Sequence, residues 1–125
     1  MGVAVYPRIE NANADWVHDI SGKALAKGMD TLFQLTKKQG FKNLMDYYVS
    51  SQEELEDLGL EVRPETVWYD PAEGLALINA MSNAFKANQT LFTRPDHLED
   101  DLKAFRAILT RAASEGLRWN LGMSY

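Results

Sequence analysis

The sequence predicts an α+β fold, predominantly helical, in which a small sheet joins the two ends of the chain. Three observations carry this. The opening "MGVAVYP" places Val3 and Val5 on one face of a short strand over residues 2–6. The closing "GLRWNLGMSY" alternates Leu117, Trp119, Leu121, Met123 and Tyr125 with Arg118, Asn120, Gly122 and Ser124, which is strand spacing. Between them, apolar residues recur at helical spacing. An apolar closing strand left alone would be an aggregation hazard. Residues 2–6 and 117–124 are therefore expected to pair. Three to four helices should cover the sheet, because a two-stranded ribbon is marginal by itself. "TVWYD" is positioned to add a short third strand.

Taken in order, Pro7 lacks an N–H and should end the first strand or keep it at an edge. Residues 10–20 read as a polar loop holding Trp16, Val17 and Ile20. Ser21 is placed as the N-cap of a helix over 22–39, with Leu25, Met29, Leu32, Phe33 and Leu35 inward and Gly40 at its end. Gly22 and Gly28 lower that helix's propensity, so packing must hold it. A short helix near 43–48 should turn Leu44, Met45 and Tyr48 inward. In "SSQEELEDLGLE", Ser51 caps, Glu54 stands three residues on, and Leu55 and Leu58 are the buried pair before Gly59.

Asp70 reads as an N-cap, with Pro71 at the first helical position and Glu73 completing a capping box. Leu75, Leu77, Ile78, Met81 and Phe85 form that helix's apolar stripe. "NQTLFTRPD" is a loop whose Leu91 and Phe92 should fold back onto the core. The last helix spans 95–114, with Leu98, Leu102, Phe105, Ile108, Leu109 and Ala112 inside and Gly116 ending it. Its acids crowd the first turns and Arg106 and Arg111 the last, which suits the helix dipole. In the sheet, Leu117, Leu121 and Val3 or Val5 should face the helices, with Trp119 covering their edge.

The 125 residues fit a single domain, 1–125, undivided by a linker or a repeat. Hydrophobic residues make up 46% and charged residues 25%, the balance of a globular protein with its own core. The chain has no cysteine, which excludes disulfides, thiolate catalysis and Cys-ligated zinc. No apolar stretch is long enough to span a membrane, and the N-terminus lacks a secretory pattern, so the expected location is cytoplasmic. A net charge of −5 argues against general nucleic-acid binding.

The charge is uneven. Residues 21–42 hold Lys23, Lys27, Lys37, Lys38 and Lys42 against Asp30, a net of +4. Residues 43–75 hold nine acids against Arg63, a net of −8. Solvated faces of one globule explain such runs most simply. The sharper reading makes Asp46, Glu53, Glu54, Glu56, Asp57 and Glu61 a contact surface for a basic protein partner. The small sheet offers a second contact, since an open strand edge can pair with its copy in a homodimer.

Signals of catalysis are sparse. "DWVHD" sets Trp16, His18 and Asp19 in one loop, where a histidine beside carboxylates can act as a base, although a surface loop pinned by Trp16 and Val17 is the simpler account. His97 and Asp101 share a helical face at ligand spacing, but no third ligand is placed, so no metal is expected. Tyr47, Tyr48, Trp68, Tyr69, Trp119 and Tyr125 could line a pocket, but they read better as the edge of a core. Phosphate-binding glycine loops, G-x-S-x-G and H-E-x-x-H are all absent from the sequence. No catalytic residue and no cofactor is assigned.

The motifs "MGVAVYP", "GKAL", "LMDYY", "WYDPAEGL" and "GLRWNLGMSY", in this order, resemble a family of small uncharacterised bacterial proteins. That family shows an MGVA-x-YP start, a W-[FY]-x-P-x-x-GL middle and a G-[VL]-R-W-x-L ending. The likeness runs along nearly the whole chain and implies one intact domain of bacterial type. It implies no catalytic residues. The final Ser-Tyr departs from the family's Asp-aromatic ending, which counts against a role for a terminal carboxylate side chain. The expectation from sequence is a non-catalytic intracellular binding or regulatory protein whose specific role is left open, an inhibitor or immunity-type role being one of many that fit a small acidic domain. The alternative is a small-molecule-binding domain or minor enzyme built on the Trp16/His18/Asp19 loop.

Overall fold

The computed structural model describes residues 3–10, 20–48 and 67–124. Most of the predicted loop over 10–20, the predicted helix holding Leu55 and Leu58, and Tyr125 lie outside the described residues. The described elements are strand β1 (Ala4–Ile9), helix α1 (Lys23–Thr36), helix α2 (Pro71–Ala87), helix α3 (Pro95–Ser114) and strand β2 (Trp119–Ser124). Short 3-10 turns lie at Lys37–Gln39, Leu44–Tyr47 and Gln89–Leu91. The fold is α+β: three helices pack on a two-stranded antiparallel sheet built from the two ends of the chain.

The sheet register places Ala4 opposite Ser124 and Ile9 opposite Trp119. Val5, Pro7 and Ile9 are buried on the helix side, beside Trp119 and Leu121. Val3 is exposed, so of the two valines the sequence offers, Val5 is the core residue. The strand continues through Pro7 instead of ending there, and parity explains why. The Val5 amide donates away from β2, to the Gly22 carbonyl at 3.2 Å, whereas the Glu10 amide donates toward the closing segment, to the Arg118 carbonyl at 2.9 Å. Pro7 shares the parity of Val5, so its missing N–H falls on the outer edge and costs no ladder bond. On the far side of β2, Tyr69 bridges Trp119 with reciprocal bonds of 2.7 and 3.0 Å, and Tyr48 bridges Leu121. The third strand expected at "TVWYD" is reduced to the single Tyr69 bridge. Both edges are thus engaged over part of their length, leaving less bare backbone for a second copy than two free strands would.

Trp119 is a centre of the core, not the edge cover the sequence suggests. It is fully buried, stacked on Tyr47 at 5.0 Å and met edge-on by Phe105 at 5.8 Å. Its indole Nε1 donates to the Asp70 carbonyl at 3.1 Å. Gly74 makes the space: a Cβ there would lie 2.6 Å from the Trp119 ring. Asn120, on the polar side of the alternation, is buried as well. It accepts from Arg8 Nε at 3.0 Å and donates to the Val67 carbonyl at 2.9 Å, which satisfies its amide.

The helix ends follow sequence unevenly. Asp70 caps α2, accepting from the Ala72 amide at 2.8 Å, with Pro71 behind it. Glu73 does not complete the box; it accepts the Tyr47 hydroxyl at 2.5 Å instead. Tyr47, with Leu44, is therefore the buried face of the 44–47 turn, and Tyr48 and Met45 are half-buried. Helix α3 ends in a Schellman motif: the Leu117 amide reaches the Ala112 carbonyl at 2.9 Å and the Gly116 amide the Ala113 carbonyl at 3.3 Å, with Gly116 at φ 70°. All six predicted inner residues of α3 are buried.

Helix α1 departs most from expectation. Its N-cap is Gly22, at φ 75°, not Ser21, and the capping group comes from another helix. Asp101 accepts from the Gly22 amide and the Leu25 amide, both at 3.1 Å. The buried face of α1 is Leu25, Gly28, Leu32 and Thr36, with Met29, Phe33 and Leu35 half-buried. Thr36 is tolerated inside because its hydroxyl donates to the Leu32 carbonyl at 3.0 Å.

Candidate functional site

The acids that sequence marks as a contact surface lie mostly outside the described residues: Glu53, Glu54, Glu56, Asp57 and Glu61, and with them Trp16 and His18. Asp46 is described and is exposed on the 44–47 turn. Two further acids of the same stretch have roles inside the fold, Asp70 as a cap and Glu73 as the acceptor for Tyr47. The aromatic set assembles as core. Tyr47 meets Tyr69 edge-on at 4.9 Å and stacks on Trp119, so these rings fill space and line no pocket among the described residues. The His97–Asp101 pair dissolves: Asp101 is buried beneath α1, while His97 is exposed with its Nε2 3.8 Å from Asp96. Among the described residues no three His, Cys, Asp or Glu come together as a metal site.

The structure instead brings together groups that sequence left separate. Lys23, Lys27 and Thr31 fall on successive turns of one α1 face, since residues four apart are neighbours about 6 Å apart. The loop before α3 carries Leu91, Phe92, Thr93 and Arg94 against that face, and His97 and Leu98 follow on the first turn of α3. Together with Ala24 and Gly28 they line a groove of about 500 Å³. Gly28 permits the close approach: a Cβ there would stand 3.3 Å from both the Leu98 side chain and the Phe92 ring. Phe92 is anchored from behind by Phe85, with ring centroids 5.5 Å apart.

Two properties set this groove apart. Its charge is of one sign: among the described residues Lys23, Lys27 and Arg94 line it, no carboxylate does, and none of the three forms an ion pair. Its other wall is apolar. Leu91, expected to fold onto the core, is 57% exposed at the groove instead. Arg94, at the N-cap position before α3, cannot cap it, because a guanidinium only donates, and no other side chain caps it among the described residues. The N-terminal turn of α3, with its partial positive charge, therefore adds to the same field.

The i, i+4 lysines were legible from sequence as one face. Arg94 and His97 joined them only through the packing of α1 against α3, which no local pattern encodes. Compared with family models, curated proteins and solved structures, the chain finds no match. No helix among the described residues is long and apolar enough to cross a membrane.

Proposed function

We propose that this protein is a non-catalytic binding protein that holds an anionic ligand in the groove between α1 and α3. One observation carries the reading. A chain of net charge −5 gathers three cations with no ion-pair partner among the described residues around one concavity. Like charges held together repel, and an anionic ligand relieves that repulsion. The reading belongs to the small-molecule-binding class, which sequence offered as the alternative to a protein contact, and it moves the site from the Trp16/His18/Asp19 loop to the groove.

The test is an amide chemical-shift titration of the full chain with pyrophosphate. Saturating shifts clustered at residues 23–31 and 91–98, weakened by added salt and lost in Lys27→Glu/Arg94→Glu, are the expected result. Absence of shifts there, or shifts unchanged in the double variant, would sink it. Association of the acidic 43–75 stretch with a basic protein partner is a separate proposal, and the exposure of Asp46 supports it.

A further inference from the structure

We infer that the ligand of this groove is a small phosphate ester, an anionic head of two or more charges joined to an apolar body. The inference rests on the anion-binding reading above and specifies the ligand's chemistry. The head follows from the cations. Three fixed positive charges exceed what a single carboxylate would balance. The planar guanidinium of Arg94 offers a fork of donors that matches phosphate oxygens, while Lys23 and Lys27 act as point charges one turn apart. Thr31 and Thr93 add neutral hydroxyl donors on the same lining. The uncapped N-terminal turn of α3 favours the same oxyanion. The corresponding turn of α1 contributes less, because Asp101 already engages the Gly22 and Leu25 amides.

The body follows from the opposite wall. A bare inorganic anion needs no apolar surface, yet Leu91, Phe92, Leu98 and Ala24 face the groove. Leu91 is one of three exposed large hydrophobic residues among those described, and it lines this groove. The volume, about 500 Å³, lies within the range of small-molecule sites and suits a molecule of nucleotide size. A planar base or a short alkyl chain would satisfy the wall equally, and both present the same ester chemistry.

Calorimetric titration of the full chain tests this with two matched pairs: ADP against pyrophosphate, and hexyl phosphate against inorganic phosphate. At least one ester should bind about tenfold or more tightly than its inorganic partner, and Leu91→Ser should reduce that advantage to about threefold or less. Leu91 is exposed, so the substitution leaves the core intact. An advantage for ADP identifies a planar body, and one for hexyl phosphate an alkyl body. Inorganic anions that bind as well as their esters would overturn the ester and leave the anion-binding reading standing. An ester advantage that survives Leu91→Ser would also overturn it, because the apolar wall would then be idle. If no probe binds, both readings fall together.

Discussion

The Asp101 carboxylate, on the second turn of α3, holds the start of α1, one oxygen taking the Gly22 amide and the other the Leu25 amide, each at 3.1 Å. Gly22 needs to be glycine in this arrangement. It sits at φ 75° with its Cα against the β1 backbone, and a Cβ would fall 2.0 Å from the Val5 carbonyl oxygen. One buried carboxylate thus joins α3 to the start of α1, where the Gly22 carbonyl accepts from the Val5 amide of β1, and α1 and α3 are the two helices that flank the groove. Asp101→Ala should cost about 3 kcal/mol, because two buried amides lose their acceptor. Asp101→Asn should cost nearly as much, since its amide nitrogen would face a backbone donor. Urea unfolding with unchanged slope measures both, and wild-type midpoints would show that these bonds contribute nothing.

Gly74 gives the opposite of what helix propensity suggests. It lies in the first turn of α2, where alanine would ordinarily gain about 1 kcal/mol. Here the new methyl would stand 2.6 and 2.7 Å from the Trp119 ring and 2.8 Å from Leu109. The ring cannot slide aside, pinned as it is between Tyr47 and its bond to the Asp70 carbonyl. Gly74→Ala should therefore be net destabilising by about 2 kcal/mol. A thermal midpoint at or above wild type would mean that the indole has room to move.

Tyr47 offers a test in pH. Burial pushes its hydroxyl above the ordinary tyrosine range, and the hydrogen bond it donates to Glu73 pushes it further. The folded state then holds this proton more tightly than the unfolded chain does. The resulting stabilisation is complete below about pH 10 and is lost as the pH rises above it. Near-ultraviolet titration should show a late-ionising step from Tyr47, and Glu73→Gln should bring that step partway down, leaving the contribution of burial. Tyr47→Phe should remove the step and flatten the alkaline loss of stability. A late step unaffected by both substitutions would assign it to another residue.

What sequence conveyed was local. Helix α3 was legible to the residue because its apolar period, its opening proline and its closing glycine agree, and Asp70-Pro71 marked α2 in the same way. The tertiary capping of α1 was not, although a signal existed. Asp101 stands between Leu98 and Phe105 on the apolar stripe of α3, and a carboxylate on a buried face must have found donors elsewhere. Its donors lie 76 and 79 residues away in the chain. Glu73 was misread for the complementary reason. The local box and the long-range Tyr47 hydroxyl compete for one carboxylate, and only packing decides. The groove belongs to this second kind, half of it one helical face and half of it a loop that meets that face in space.

The closing strand supplies Trp119 and Leu121 to the core and the partner to β1, and its removal should abolish the fold. Trp119 and Leu121 are fully buried, and a large apolar side chain contributes on the order of 1.5–3 kcal/mol when taken out of water. Truncation after Gly116 removes both, together with Met123 packed beside them. It also strips the ladder partner from every residue of β1 and the reciprocal bonds from Tyr69. Against a stability of about 5–15 kcal/mol these losses leave no margin. The truncated chain should be insoluble, or compact without cooperative melting. Trp119→Ala, which keeps the backbone ladder but opens a void at the centre of the core, should separate the two contributions by losing about 3–5 kcal/mol while still folding. A truncated protein that melts cooperatively near the full-length temperature would show that the helices form a core without the sheet, and that the apolar tail has another purpose.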